Sequence, residues 1–210
     1  MEIGLRLSSD QLRAFALYLQ ELTTWAAKIN LVRRRDDREI IIKDFVDSLT
    51  VLKYLARNIS LADLGSGAGF PGIPAKIVRS DLNVTLVESR TKRIHFLKNV
   101  IRVLNLSGID VEAGRQTRDP GPSPRFFDVV VSRALGPLND FVSIAGDMIK
   151  PGGFLLAMKG RKGEEELAIS LPRLENEGWR KLFADDIVLP FLGHERIIIG
   201  LARKNVSRET

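Results

Sequence analysis

The chain lacks cysteine altogether and has only two histidines, His95 and His194, among its 210 residues. The first absence excludes disulfides, thiolate metal sites and thiol nucleophiles. The second leaves too few imidazoles for a zinc site of ordinary composition, so no metal is expected. No apolar run approaches the ~20 residues that span a bilayer, so no membrane association is expected. The first dozen residues show no basic stretch leading into an apolar one, so a secretory signal is not expected and the cytoplasm is the expected location. What is present is close to the globular average. Hydrophobic residues make up 44% and charged residues 28%, which argues against both disorder and a fibrous repeat. The length suits one domain, or one domain with an extension, and a monomer is expected. Lys and Arg outnumber Asp and Glu by 32 to 26, a net charge of +6. That excess favours a polyanionic partner and says nothing about fold.

The rhythm of apolar residues divides the chain. Up to about Ala56 it reads as helical. Ser9 is a plausible N-cap, and Leu12, Phe15, Ala16, Leu19, Leu22 and Ala26 form one apolar face. A second helical stretch is predicted over 37–54, with Ile41, Phe45, Leu49 and Leu52 at spacings of four and three. From Ile59 onward, short apolar runs alternate with helical segments. Strands are predicted at 59–64, 83–88, 109–112, 126–132, 153–159, 185–189 and 196–202. Helices are predicted from Gly72 and over 89–104, 138–149 and 164–177. This alternation implies βαβ units and a mostly parallel seven-stranded α/β sheet. The last two strands are separated by a short segment, which suggests an antiparallel hairpin at the sheet edge. Lys150-Pro151-Gly152-Gly153 reads as a turn between a helix and a strand. The domain division that follows is a helical extension over 1–58, an α/β domain over 59–204 and a tail over 205–210.

The most informative segment is Asp63-Leu64-Gly65-Ser66-Gly67-Ala68-Gly69-Phe70-Pro71-Gly72, which leaves the first strand and enters a helix. Glycines there permit positive φ and close approach of a ligand, and the helix start is expected to offer free N–H groups. Gly67 to Gly72 has the spacing of a P-loop, but Ile73-Pro74 stands where Lys-Ser/Thr is required, so no phosphate clamp is present. Gly65 and Gly67 begin a dinucleotide fingerprint, but Phe70 occupies the third glycine's place, which argues against a nicotinamide-dependent oxidoreductase. A nucleoside ligand without phosphates, such as S-adenosylmethionine, remains. Glu88 ends the second strand 23 residues after Gly65, near the ~20 expected of an acid that accepts hydrogen bonds from ribose hydroxyls. The same carboxylate would also suit the start of the next helix.

At this point a family resemblance is evident. Trp25, Asn30-Leu31, Val46-Asp47-Ser48, the string from Gly65 to Pro74, Glu88-Ser89, the run from Lys92 to Leu97, Ser132-Arg133-Ala134, Lys159-Gly160 and Glu195-Arg196 together resemble the bacterial small-subunit ribosomal RNA guanine-N7 methyltransferases, also called the glucose-inhibited division protein B family. The resemblance implies a class I (Rossmann-like) methyltransferase fold, S-adenosylmethionine as donor, and N7 of one guanine in 16S ribosomal RNA of the small ribosomal subunit as acceptor. It places donor contacts on Gly65, Phe70, Gln116-Thr117 and Arg133. Ser66, Gly67 and Glu88 join them by position. Two positions depart from the family pattern. Arg115-Gln116-Thr117 lacks the acid of the usual R-x-E, and Asp44 stands where many members carry histidine.

Chemistry agrees with the resemblance. Methylating a pyrimidine at C5 needs a thiol nucleophile, which is absent. Ser132-Arg133-Ala134-Leu135 occupies the place of the [N/D]-P-P-[Y/F] element that accompanies methylation of exocyclic amines. Guanine N7 has an in-plane lone pair and no proton to lose, so alignment is the main requirement, and alignment alone can supply ~7–11 kcal/mol. Arg133, at the end of a strand, is the candidate catalytic residue: its fork suits a carboxylate or guanine O6. Candidate RNA-contacting positions are Arg93, Lys159, Arg161, Lys162 and Arg196. Arg33, Arg34, Arg35, Arg90, Lys92 and Arg115 are further basic positions. Phe70 is a candidate stacking surface for a base drawn out of its helix. Trp25 is expected in the core and His95 at the surface. Other readings remain open: a methyltransferase acting on another RNA or a small molecule, or a non-catalytic ribosome-binding protein that keeps the fold.

Overall fold

The computed structural model describes residues 4–29, 31, 36–114, 126–190 and 193–204. Helix α1 spans Ser9–Ala26. Its cap is Ser8, one residue before the expected Ser9: the Ser8 hydroxyl accepts the Gln11 N–H at 3.2 Å, and the Gln11 side chain accepts the Ser8 N–H at 2.9 Å. This reciprocal box satisfies two of the helix's orphan donors. The second helical stretch falls within the expected limits but is not uniform. It begins as α2 (Asp37–Ile40), widens to a π-helix at Ile41–Val46, returns to α3 (Asp47–Leu49) and tightens to a 3₁₀ turn at Thr50–Tyr54. A π segment rotates the side chains that follow it and is often found at functional sites. Here it presents Asp44 and Asp47 to the sheet.

The α/β part runs β1 (Ser60–Leu64), α4 (Gly72–Val78), β2 (Asn83–Glu88), α5 (Thr91–Val103), β3 (Ile109–Ala113), β4 (Phe127–Arg133), α6 (Leu138–Ala145), β5 (Ile149–Gly160), α7 (Gly163–Asn176), β6 (Trp179–Val188) and β7 (Glu195–Arg203). The strand order is β3-β2-β1-β4-β5-β7-β6. The first five are parallel to one another, and β7 runs antiparallel to both β5 and β6, as the expected hairpin requires. The chain winds away from β1 in both directions, so a crevice opens at the carboxyl ends of β1 and β4, where open α/β sheets bind their ligands.

The sheet separates two apolar layers. Leu61, Val84, Leu86, Val129 and Val131 face α1, α4 and α5, together with Phe15, Tyr18, Leu22 and Phe45. Ala62, Leu64, Val130, Leu155 and Leu201 face α6 and α7. The period-two alternation of β1 and β4 sets this division. The N-terminal helices therefore share one continuous core with the sheet.

Two strands begin well before their expected starts. β6 starts at Trp179, six residues before the expected Asp185. As an edge strand it carries exposed charges, Arg180 and Lys181, which hide its alternation and protect it from pairing with other chains. β5 starts at Ile149, so Pro151-Gly152-Gly153 is not a turn between elements. It is an irregularity within the strand, where the pairing steps from Phe127–Ile149 to Val129–Phe154.

Candidate active site

The loop from Gly65 to Pro71 wraps over the carboxyl end of β1. Gly65, Gly67 and Gly69 have φ of +77°, +60° and +94°, a region that side chains other than glycine disfavour. A Cβ on Gly69 would lie 2.5 Å from Ile73 and 2.8 Å from the Tyr18 hydroxyl. That hydroxyl, fully buried on α1, donates to the Ala68 carbonyl. A Cβ on Gly67, in contrast, meets nothing closer than 3.8 Å. The loop is thus clamped from the core side and open on the other.

The helix start does not offer the free N–H groups expected of it. The Gly72 N–H donates to Asp63 Oδ2 at 2.9 Å, the Ile73 N–H to the Gly69 carbonyl at 2.8 Å, and Pro74 has none. Phosphates therefore find no amide cradle here, which is the physical counterpart of the missing P-loop lysine. Asp63 is fully buried, and its Oδ1 has no hydrogen-bond partner among the described residues. Burial pushes its carboxyl up to about 7, against the lowering effect of the Gly72 N–H and the Arg133 guanidinium.

Glu88 ends β2 with its carboxylate 4% exposed. Oε2 accepts the Gly67 N–H at 2.9 Å, and Oε1 accepts the N–H groups of Ser89 and Arg90, both at 2.9 Å. Of its two anticipated roles, the one at the start of α5 is seen directly, and the same carboxylate also holds the glycine loop, which was not anticipated. Three of its roughly four acceptor positions are filled, leaving room for one more donor. Arg93 Nη1 stands 3.6 Å away.

Phe70 is not a free stacking surface. Its ring is 3% exposed and packs against Tyr18 and Phe45, with centroids 5.7 and 5.9 Å apart. The Arg133 guanidinium also lies over the ring, 4.8 Å from its centre. The expected open fork of Arg133 is also engaged. Nη2 donates to Asp44 at 2.9 Å, while Nη1 donates to the Lys43 carbonyl at 3.0 Å and lies 3.5 Å from Asp47. Arg133 is therefore a cation fixed between the glycine loop and the π-helical segment. Ala134, just beyond it, has φ of +64°, a strained conformation of the kind that clusters at functional sites.

Beside Arg133 lies a cavity of about 630 Å³ at the carboxyl ends of β4 and β5. Asp44, Asp47, Arg133, Lys159, Glu166 and Arg196 line it, and His194 stands at its rim. Its cations are matched by acids. Lys159 pairs with Glu166 at 2.9 Å, Arg196 with Asp47 at 3.0 Å, and Lys43 with Glu39. Of the five expected RNA contacts, Arg93, Lys159, Arg161 and Arg196 all have carboxylate partners, with Arg161 3.4 Å from Glu195. Lys162 alone has none among the described residues. Gln116, Thr117, Arg115 and Arg33 to Arg35 lie outside the described residues. Among those described, no group of three or more His, Cys, Asp or Glu side chains could hold a metal ion, and no helix is long and apolar enough to cross a membrane. Sequence reasoning missed Asp63, Asp44, Asp47 and Glu166. The Val46-Asp47-Ser48 element was a signal for Asp47, but its partners lie too far along the chain to be read from it.

The fold is that of the class I methyltransferases. The chain resembles a SAM dependent methyltransferase from Aquifex aeolicus with a TM-score of 0.60, at 20% identity over 79% of this chain and 94% of that one. It resembles M. jannaschii TYW2 in complex with AdoMet with a TM-score of 0.61, at 14% identity over 82% and 78%. The sequence relatives are nearer. Ribosomal RNA small subunit methyltransferase G of Geobacter sp. (strain M21) is 39% identical over 205 residues, covering 96% of this chain and 93% of the relative. That of Geobacter metallireducens is 38% identical over 206 residues, covering 98% and 94%. The family model GidB, rRNA small subunit methyltransferase G, matches residues 11–188. The chain belongs to this family.

Proposed function

We propose that this protein transfers a methyl group from S-adenosylmethionine to N7 of a guanine in 16S ribosomal RNA, working on the small ribosomal subunit in the cytoplasm. The observation that carries the reading is the family match across residues 11–188, which includes β1 to β6 and the helices between them, with β7 and its Arg196 lying beyond it. The donor supplies a methyl group activated on a sulfonium. The residues present fit it. The open face of Gly67 admits a ligand against the backbone, and the unpartnered Asp63 Oδ1 awaits a donor such as an α-ammonium. Gly65, Ser66 and Gly67 would form the backbone cradle. Glu88 has an acceptor position left for a ribose hydroxyl. Gln116 and Thr117 complete the donor set by family position, and Phe70 supports the loop from beneath.

The acceptor base would enter the cavity beside Arg133. Phosphates seek cations without counterions, and the cations lining this cavity already have partners. A base with both donors and acceptors on its edges suits paired charges better. No general base is required, because N7 carries no proton, and the protein's work is to align the reactants. Arg133, held rigidly between the loop and the cavity, is the residue best placed to do so. Lys159 and Arg196 would face the RNA from the cavity wall, Arg161 and Lys162 from the turn after β5, and Arg93 from the start of α5. The helical extension over 1–58 shapes the site of the domain over 59–204 through Tyr18, Asp44 and Asp47.

The test is tritiated methyl transfer to small subunits, naked 16S ribosomal RNA and small molecules, by the wild type and by Arg133→Ala. Label on a ribosomal guanine N7, lost in the variant, is expected. Absence of label from ribosomal RNA in either form overturns the reading.

A further inference from the structure

A second concavity, about 470 Å³, lies between the end of α1 and the start of α5. From the α1 side it is lined by Ala26, Ala27, Lys28 and Ile29, and from the α5 side by Arg90, Thr91, Lys92 and Arg93. Its electrostatics are the reverse of those in the cavity beside Arg133. Lys28, Arg90 and Lys92 are exposed, and no carboxylate among the described residues lies within ion-pairing distance of any of them. The nearby acid, Glu88, is buried and turned toward the Gly67, Ser89 and Arg90 amides.

The placement is also costly for the fold. The positive end of a helix dipole favours acids, yet the first turn of α5 has none, and Arg90, Lys92 and Arg93 gather there instead. Arg90 makes no side-chain capping bond. Lys28 is the exception, since the carbonyl end of α1 favours a cation. Cations from two separate helices thus converge on one concavity, those at the start of α5 against local electrostatic preference. Glu88 compensates in part, through the Ser89 and Arg90 amides and Arg93, but the side chains of Lys28, Arg90 and Lys92 keep no counter-charge among the described residues, and such an uncompensated cluster points to a ligand.

We propose that this cleft binds backbone phosphates of the RNA strand that carries the target base. The proposal rests on the RNA methyltransferase reading and adds a contact surface to it. Position supports it. Arg93 reaches from the cleft to within 3.6 Å of Glu88 and borders the open face of Gly67, so the cleft adjoins the donor loop. A strand crossing it would lie beside the site of transfer. The division of labour is then electrostatic: unpaired cations hold phosphate, and paired charges hold the base.

The experiment uses the full chain with Lys28→Gln, Arg90→Gln and Lys92→Gln combined. A control variant carries Arg180→Gln and Lys181→Gln on β6, at the opposite end of the sheet. Binding to 16S ribosomal RNA is measured across a salt series, with S-adenosylmethionine affinity by calorimetry and melting temperature alongside. The triple variant is expected to bind RNA about tenfold or more weakly, and its plot of log affinity against log salt to flatten by about 0.7 for each phosphate no longer neutralised. Donor affinity should be unchanged, and the melting temperature unchanged or higher, because repulsion at the start of α5 is relieved. An unchanged affinity and slope overturns the proposal. So does a loss in the β6 control about two-thirds as large on the logarithmic scale, in proportion to its two charges against three, which would reduce the effect to net charge. A loss of donor binding in the triple variant overturns it too, by assigning the cleft to the donor. If the wild type binds the donor but no ribosomal RNA, the RNA methyltransferase reading itself fails, whatever the variants do.

Discussion

Arg196 on the last strand donates from Nε to Asp47 Oδ1 at 3.0 Å, an ion pair between residues 149 positions apart that ties the N-terminal helical segment to the far side of the sheet. The other oxygen of Asp47 lies 3.5 Å from Arg133. One carboxylate, 1% exposed, thereby fixes two arginines across the mouth of the cavity beside Arg133. Burial pushes the Asp47 carboxyl above its ordinary range, and the two arginines pull it back.

Asp47→Ala leaves both guanidiniums short of a counterion. Breaking a fully buried pair costs ~3–5 kcal/mol. Here the arginine side chains remain 21% and 22% exposed, and Arg133 keeps Asp44, so the smaller loss of about 2–3 kcal/mol is expected by urea unfolding. Methyl transfer should fall by more than tenfold, with S-adenosylmethionine affinity changed far less. Asp47→Asn keeps an acceptor for Arg196 and should fall between. Full turnover in Asp47→Ala would show that the arginines need no anchor.

The glycine loop makes a contrast between neighbours. Gly69→Ala forces a Cβ into Ile73 and the Tyr18 hydroxyl at φ of +94°. Left-handed backbone costs ~1–2 kcal/mol and overpacking ~1–3 kcal/mol, so a loss of about 2–4 kcal/mol in stability is expected. Gly67→Ala makes only ordinary contacts, 3.8 Å from Arg93 Nη1 and the Gly65 carbonyl, and should cost only the backbone strain, about 1–2 kcal/mol. On the proposed reading its methyl group projects toward the donor, so donor affinity should drop tenfold or more. Thermal melting and calorimetry on the two variants check the ranking, and a reversed order would place the ligand on the wrong face of the loop.

What the sequence made legible was local. β2 occupies Asn83–Glu88 as expected, because a buried parallel strand is a short apolar run with clear ends. The glycine string was legible as a strand-to-helix loop with positive φ because its chemistry lies within ten consecutive residues. What stayed hidden was pairwise and long-range. Nothing near Lys159 announces that it pairs with Glu166, and nothing near Arg133 announces Asp44, 89 positions away. Basic residues could therefore be counted but not sorted into paired and free, and the RNA-contact candidates came mostly from the paired set. The charged edge strand β6 was cut short for a related reason, since solvent-facing Arg180 and Lys181 mask a pattern that only the neighbouring β7 completes.

Asp63 connects the site to pH. Its carboxyl titrates at about 7 in the folded protein because it is buried, with Oδ2 on the Gly72 N–H and Oδ1 unmet. In the unfolded chain it titrates at ~3.9. Between these values the native state holds a proton that the unfolded state has released. The contribution of Asp63 to stability is therefore fully present below about pH 4 and is lost as pH rises toward 7. Asp63→Asn keeps an acceptor for Gly72 and removes the titration. The stability of the wild type relative to this variant should accordingly decline from pH 4.5 to 7.5, by at most ~1.4 kcal/mol per pH unit. Urea unfolding of both proteins at four pH values measures the slope. Donor binding should show the same group from the other side. A cation settling against Oδ1 favours the ionised carboxyl, so binding at pH 6 should release a proton, visible as a dependence of calorimetric heat on buffer ionisation enthalpy. In Asp63→Asn that dependence should disappear. Equal proton release in both proteins would mean that Asp63 does not meet the donor.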